Sequence, residues 1–506
     1  MKQRILIAFA LVAVCQAGGQ VRADVKLNPL FTDGMVLQRG VDCPIWGTAD
    51  PDEEISVGIE KEGILGFSVK PWTRKAKADG QWKGAIPMST IKAGGPYTLT
   101  IKGKNTLVLK DVYVGDVWIC SGQSNMEMPV AATHNAEEVI KNAKNPKIRL
   151  FTVPRNTSYK PQSEFKGQPS WKECTPETIK YFSAVGYFFG RDLQKALNVP
   201  IGLIHTSWGG TRAEAWTRQA VLEAHEEWKN ESVKYHKSVE QYKEAAKKAI
   251  DEDKDLPRKP TNANSPSALY NGMITPLIPY AIKGAIWYQG ESNAGKAYAY
   301  RKLFPTMIQN WRDDWKQGDF PFFFVQLAPW KKIVTEPEES DWAELREAQL
   351  LTSLHCKNTG MAVITDVGDP KDIHPKKKEP VGDRLALAAR AIAYGEKIEY
   401  SGPVYDKMEV KDGKAVLHFK HVGKGLEAKD GPLQGFTIAG SDRKFYNAKA
   451  EIQGDTVLVS CDQVAEPVAV RYGWANCPVV NLWNKDGLPA SPFRTDDFPG
   501  VTAKRR

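Results

Sequence analysis

A chain of 506 residues, 42% hydrophobic and 25% charged, carries apolar material for about three domains. Its net charge of +9 is modest for that length and spread out, and without a basic stripe or nucleic-acid motif it argues against a nucleic-acid partner. No CxxC and no Cys/His cluster has zinc spacing, so neither a metal nor a cofactor is expected.

Residues 1–23 read as a signal peptide. A basic start, Met1 to Arg4, precedes an apolar run from Ile5 to Val14 that is too short to span a bilayer. Cleavage is expected near Ala23. Cys15 raises a lipoprotein alternative, disfavoured by the bulky Val14 before it. No later run reaches the length of a membrane helix, so an exported, periplasmic or extracellular protein is expected. Six of the seven cysteines then remain. Disulfides are permitted in that compartment, with Cys461 and Cys477 the nearest pair, and buried free thiols are the alternative.

Residues 24–112 show short β-runs, Ile55 to Ile59 and Tyr97 to Ile101, separated by turn signals at Asp79-Gly80 and Gly94-Gly95-Pro96. They predict a small β-sandwich. From 113 to 397 the pattern changes. Apolar runs at Val112–Cys120, Ile201–His205, Ala281–Tyr288, Phe322–Leu327 and Met361–Thr365 alternate with helical periodicity at Tyr181–Leu197 and Arg384–Tyr394. This predicts an α/β unit with a parallel central sheet covered on both faces. Residues 218–267 read as a polar helical and loop excursion without chemistry. Residues 398–506 read as a second β-domain, with a hairpin turn at Asp412-Gly413.

Four of the α/β strands end in polar clusters. These are Ser121 to Met126, Thr206 to Arg212, Gln289 to Asn293, and Asp369 to His374. Parallel strands bring such clusters to one sheet edge, where ligands of open α/β sheets bind. Together they hold what acyl transfer needs: a serine, a histidine base, an acid, and glycine-turn N–H groups with side-chain amides for an oxyanion. Any one alone has a plainer reading, Ser124 as a helix cap and His374 as a surface histidine beside Lys376–Lys378.

Gly122-Gln123-Ser124-Asn125-Met126, Gly209-Gly210-Thr211, Gln289-Gly290-Glu291-Ser292 and Asp372-Ile373-His374-Pro375 resemble the motif blocks of the sialate O-acetylesterase family, a branch of the SGNH hydrolases. Asp33 to Arg39 resembles that family's N-terminal β-domain, and Asn481 to Asn484 with Gly487 to Arg494 its C-terminal end. The resemblance implies an SGNH-type three-layer sandwich flanked by two β-domains. It implies Ser124 as nucleophile, His374 as base, Gly210 or Gly209 as glycine donor, and Gln289 or Asn293 as amide donor. The acid is ranked Asp372 first and Glu291 second, because the broader Asp-x-x-His pattern meets Lys371 here. Arg212 and Trp216 are expected to line the sugar pocket. The implied substrate is a 9-O-acetylated sialic acid. Acetylated xylan or another glycan is the alternative, and a non-catalytic glycan-binding protein is the reading from another class. A lipid esterase is a third possibility.

Overall fold

The longest strand, Thr106–Gly122, organises the molecule. In this computed structural model, which describes residues 24–61 and 68–503, that strand belongs to two modules at once. Its first part pairs antiparallel with Gly94–Lys102. Its second part, Asp116 to Gly122, runs parallel between Ile201–Ser207 and Gly284–Tyr288. Burial follows the change of partners. Residues 106–111 alternate between exposed and partly buried, whereas 114–122 are all buried, as expected when helices cover both faces. The boundary expected at residue 113 therefore falls inside one strand. Near that junction Asp116 is buried and accepts from Arg39 Nε (3.0 Å), Gln38 Nε2 (3.0 Å) and Tyr394 Oη (2.9 Å).

The α/β sheet runs Lys172–Cys174, Asn145–Thr152, Ile201–Ser207, Thr106–Gly122, Gly284–Tyr288, Phe322–Val325, Thr359–Ala362. Only the edge strand Lys172–Cys174 is antiparallel to its neighbour there. Trp118 and Trp287 show how the faces are covered. Trp118 is in register with Gly284, and Trp287 with Ser121, so the two indoles leave opposite faces. Trp118 packs on Phe189 of the helix Ala184–Leu197, and Trp287 on Phe304 and Trp311 of the helix Ala297–Trp315. The first helix pairs with Glu379–Tyr394, the second with Asp341–His355. Ser183 sets the first helix's start by accepting from Gly186 N (3.1 Å), three residues later than periodicity suggested. The excursion is a helix pair, Gln219–Glu223 and Glu226–Asp251.

The N-terminal module adds Lys26–Leu27, Cys43–Thr48 and Gln81–Ile86 in a second, antiparallel sheet. The C-terminal residues form antiparallel sheets, including the expected hairpin between Val404–Lys411 and Lys414–Lys420. Asp412 (φ +49°) and Gly413 (φ +71°) make its two-residue turn. This module docks on the α/β unit through buried Arg346, which donates to the Ala475 and Asn476 carbonyls (2.8 Å each), and through Gln326 Nε2 to Ser491 Oγ (2.9 Å). Cys43, Cys120, Cys174, Cys356, Cys461 and Cys477 are all free thiols. The proposed leader lies outside the described residues. Among the described residues no helix is long and apolar enough to cross a membrane.

Candidate active site

The long strand ends in a turn that only glycine permits. Gly122 has φ +138°, and a Cβ there would lie 2.1 Å from the Tyr288 carbonyl oxygen of the neighbouring strand. Gln123 N donates to that same carbonyl (2.9 Å) and starts the short helix Ser124–Glu127. Ser124 is thus a first-turn residue, whose N–H has no acceptor within the helix. Its hydroxyl lies 2.9 Å from His374 Nε2, across 250 positions of sequence. His374 follows the last strand of the sheet, Thr359–Ala362.

The acid positions differ sharply. Asp372 Oδ1 accepts the His374 backbone N–H at 2.8 Å and stands 3.6 Å from Nδ1, an ion-pair distance rather than a hydrogen bond. Its side chain is 44% exposed, so water screens what it offers the ring. Glu291 bonds Asn125, not the histidine. Its Oε1 accepts from Asn125 Nδ2 (2.6 Å), while its Oε2 is buried without a partner among the described residues. Burial pushes the Glu291 carboxyl up, opposed by that Asn125 bond. Asn125 Nδ2 also donates to the Ile373 carbonyl (3.0 Å), and Asn125 Oδ1 accepts from the buried Lys378 Nζ (2.5 Å). Burial brings the Lys378 ammonium down to about 7, against the pull of Glu291 and Asp372.

On the other side of Ser124 lies the turn after Ile201–Ser207. Gly209 is the glycine against the serine: a Cβ built on it would lie 3.2 Å from Ser124 Cβ. Its N–H donates to Glu127 Oε2 (2.7 Å), and Glu127 is ion-paired with Arg155. The Arg155 guanidinium lies over the Trp208 ring at 5.2 Å. Gly210, at φ +71°, is one position further out, and a Cβ there would meet nothing within 4 Å. Below the turn, buried His205 Nε2 bonds Ser207 Oγ (2.5 Å), and burial drives that imidazole down to about 4.

The two candidate amides face inward. Gln289 Nε2 donates to Asn293 Oδ1 (2.7 Å) and the Thr211 carbonyl (3.2 Å), while its Oε1 accepts from Tyr300 Oη (2.9 Å). Asn293 accepts the Ala213 N–H (3.0 Å) and donates to Glu214 (2.9 Å). Both brace the glycine turn. Trp216 does not line the site. It is fully buried, packs edge-on against Trp287, and donates to Thr211 Oγ1 (3.0 Å). Arg212 is likewise committed, to Glu231 (2.5 Å) and the Asn264 carbonyl (3.1 Å). Asn264 Nδ2 also holds the Gly210 carbonyl (2.9 Å), so the polar excursion shapes the turn rather than merely facing solvent. Cavities of about 620 and 710 Å³ open between the N-terminal module and the α/β unit, and no site residue lines either.

Sequence reasoning passed over Glu127, Arg155, Asn125 and Lys378. Arg155 follows the end of a sixth parallel strand, Asn145–Thr152, and the strand-end rule would have found it had that run been recognised. Lys378 hid in a triple lysine whose first two members are exposed.

A serine hydroxyl bonded to an imidazole, beside glycine N–H groups at the carboxyl edge of a parallel sheet, has the composition of a serine-type ester hydrolase site. Comparison with known proteins gives the family. The description "Carbohydrate esterase, sialic acid-specific acetylesterase" matches residues 114–253 and 261–390. The sialate O-acetylesterase of Homo sapiens is 31% identical over 542 residues, covering 98% of each chain. That of Rattus norvegicus is 34% identical over 505 residues, covering 91% of this chain and 92% of its own. A crystal structure of a carbohydrate acetylesterase from Xanthomonas citri is 42% identical, with TM-score 0.82, covering 94% of this chain and all of that one. The chain belongs to the sialic acid-specific acetylesterase family of carbohydrate esterases, and it is an esterase.

Proposed function

We propose that the protein hydrolyses O-acetyl esters on sialic acids, with Ser124 as nucleophile and His374 as base. The observation that carries this reading is the 2.9 Å contact between Ser124 Oγ and His374 Nε2. His374 takes the hydroxyl proton as Ser124 attacks the acetyl carbonyl. The tetrahedral oxyanion rests on the Ser124 N–H and on the Gly209 N–H, from which the acyl oxygen displaces the Glu127 carboxylate. The sugar oxygen leaves with the proton from His374. Water, deprotonated by the same ring, then cleaves the acetyl-serine and releases acetate. Asp372 steadies the imidazolium through space and through the backbone, and Glu291 acts on the histidine loop by way of Asn125.

The parallel sheet covered on both faces supports an SGNH-type three-layer sandwich for the α/β unit, between an N-terminal β-module that shares the strand Thr106–Gly122 with it and a C-terminal β-module. The basic and apolar start of the sequence supports export through a cleaved leader.

Acetate release from a 9-O-acetylated sialoglycan, measured beside acetylated xylan, tests the substrate. Wild type is expected to act on the sialoglycan and Ser124→Ala to fall by at least about 10⁴-fold. Release from xylan alone would move the substrate to another acetylated glycan. Equal, slow hydrolysis by wild type and variant would remove the enzyme reading.

A further inference from the structure

Asn125 spans the catalytic histidine. From the position next to Ser124, its Nδ2 grips the carbonyl of Ile373, just before His374, and its Oδ1 receives the Nζ of Lys378, four residues after it. The second Nδ2 hydrogen goes to Glu291 Oε1. Every hydrogen of this amide is committed, and its orientation matters. A flipped amide would turn its donors toward an ammonium and its oxygen toward two acceptors. The donor at 378 fixes which way the amide faces, and the amide fixes the residue before the imidazole.

Lys378 is 1% exposed, and its ammonium lies 5.3 Å from the Tyr288 ring centre. Burying a charged group at a site that packing alone requires is costly, and an apolar side chain would serve there. Beyond His374 the loop is also pinned by the His134 N–H on the Lys376 carbonyl (3.0 Å).

We propose that Lys378 is a positioning residue for His374: by holding Asn125 in one orientation, it locks the histidine loop to the serine turn and sets the Ser124–His374 contact. This rests on the esterase reading above. Lys378 touches neither substrate nor reacting atom and acts wholly through Asn125.

The test uses the full chain with Lys378→Met, which keeps most of the apolar stem and removes the donor, and Lys378→Gln, which restores a donor on a shorter arm. Acetyl-ester hydrolysis is read together with the rate at which diisopropyl fluorophosphate labels Ser124, a readout independent of the sugar. Lys378→Met is expected to lower kcat about 100-fold with KM changed less than about threefold, and to slow labelling in parallel, since a displacement of about 1 Å costs that much. Lys378→Gln is expected to recover about tenfold of that loss. Asn125→Asp keeps the volume and the lysine's partner but loses both donors. It is expected to match Lys378→Met, and it carries the test if that variant does not fold. A folded Lys378→Met with wild-type kcat and labelling overturns the inference, as does a loss that glutamine does not relieve. A wild type that neither hydrolyses esters nor takes the label overturns the esterase reading instead.

Discussion

The two flanks of Ser124 are built by opposite means. On the histidine flank, one buried amide, one buried ammonium and one buried carboxyl hold a loop that comes from the far end of the sheet. On the glycine flank, the turn is braced from below by neutral groups, Gln289, Asn293 and His205, while its outer face meets a half-exposed ion pair between Glu127 and Arg155. Buried bonds in a low dielectric keep a fixed geometry, whereas an ion pair in water gives little and rearranges at small cost. The proton-transfer partner is therefore locked, and the surface that meets the acyl group is left adjustable.

The largest blow to the locked flank is removal of the ring itself. His374→Ala is expected to lower kcat about 10⁴-fold, the upper range for a general base, in a p-nitrophenyl acetate assay. Next comes the adjustable flank. Gly209→Ala places a methyl 3.2 Å from Ser124 Cβ and 3.0 Å from Glu127 Oε2. Stopped assays should show a loss of about 100-fold in kcat, comparable to losing one oxyanion donor; wild-type kcat would mean that the turn accommodates the methyl without moving Ser124. Asp372→Asn is expected to cost less than about tenfold, against about 10⁴ for a buried triad acid that bonds its histidine. A loss near that larger figure would show that Asp372 closes on Nδ1 during turnover.

A separate effect is on stability. Buried His205 stays neutral in the fold down to about pH 4, whereas the unfolded side chain takes a proton below its ordinary 6.5. The unfolded state binds more protons in that window. The stabilisation is therefore complete above pH 6.5 and is lost as pH falls toward 4, by roughly 3 kcal/mol. Urea unfolding at pH 7 and pH 4.5 should show this decline in wild type and a shallower one in His205→Asn.

Much of the site was legible because parallel sheets make position along a strand a guide to position in space. Ser124, Gly209 and His374 each follow an apolar run, and the structure sets the three side by side. Side-chain commitments were not legible. Trp216 and Arg212 sit near the turn in sequence, yet one faces Trp287 and the other Glu231. Proximity along a chain does not say which way a side chain leaves it. The buried members escaped for a related reason: Lys378 carries a surface residue's chemistry, and only three-dimensional packing turns it inward. The helix Ala297–Trp315 was passed over because Pro305 stands inside it, although its buried aromatics Tyr300, Phe304, Trp311 and Trp315 share one face. The strand Asn145–Thr152 has only four consecutive buried residues, too few to stand out as a run.

The strand Thr106–Gly122 makes the protein hard to take apart. A catalytic fragment begun at residue 113 would start in mid-strand. It would strip Gly94–Lys102 from its partner and leave an unpaired edge at the base of the element that carries the nucleophile. Recombination or engineering that swaps the front module must keep this shared rail whole, so for inheritance and for design alike the front module and the esterase travel as one piece.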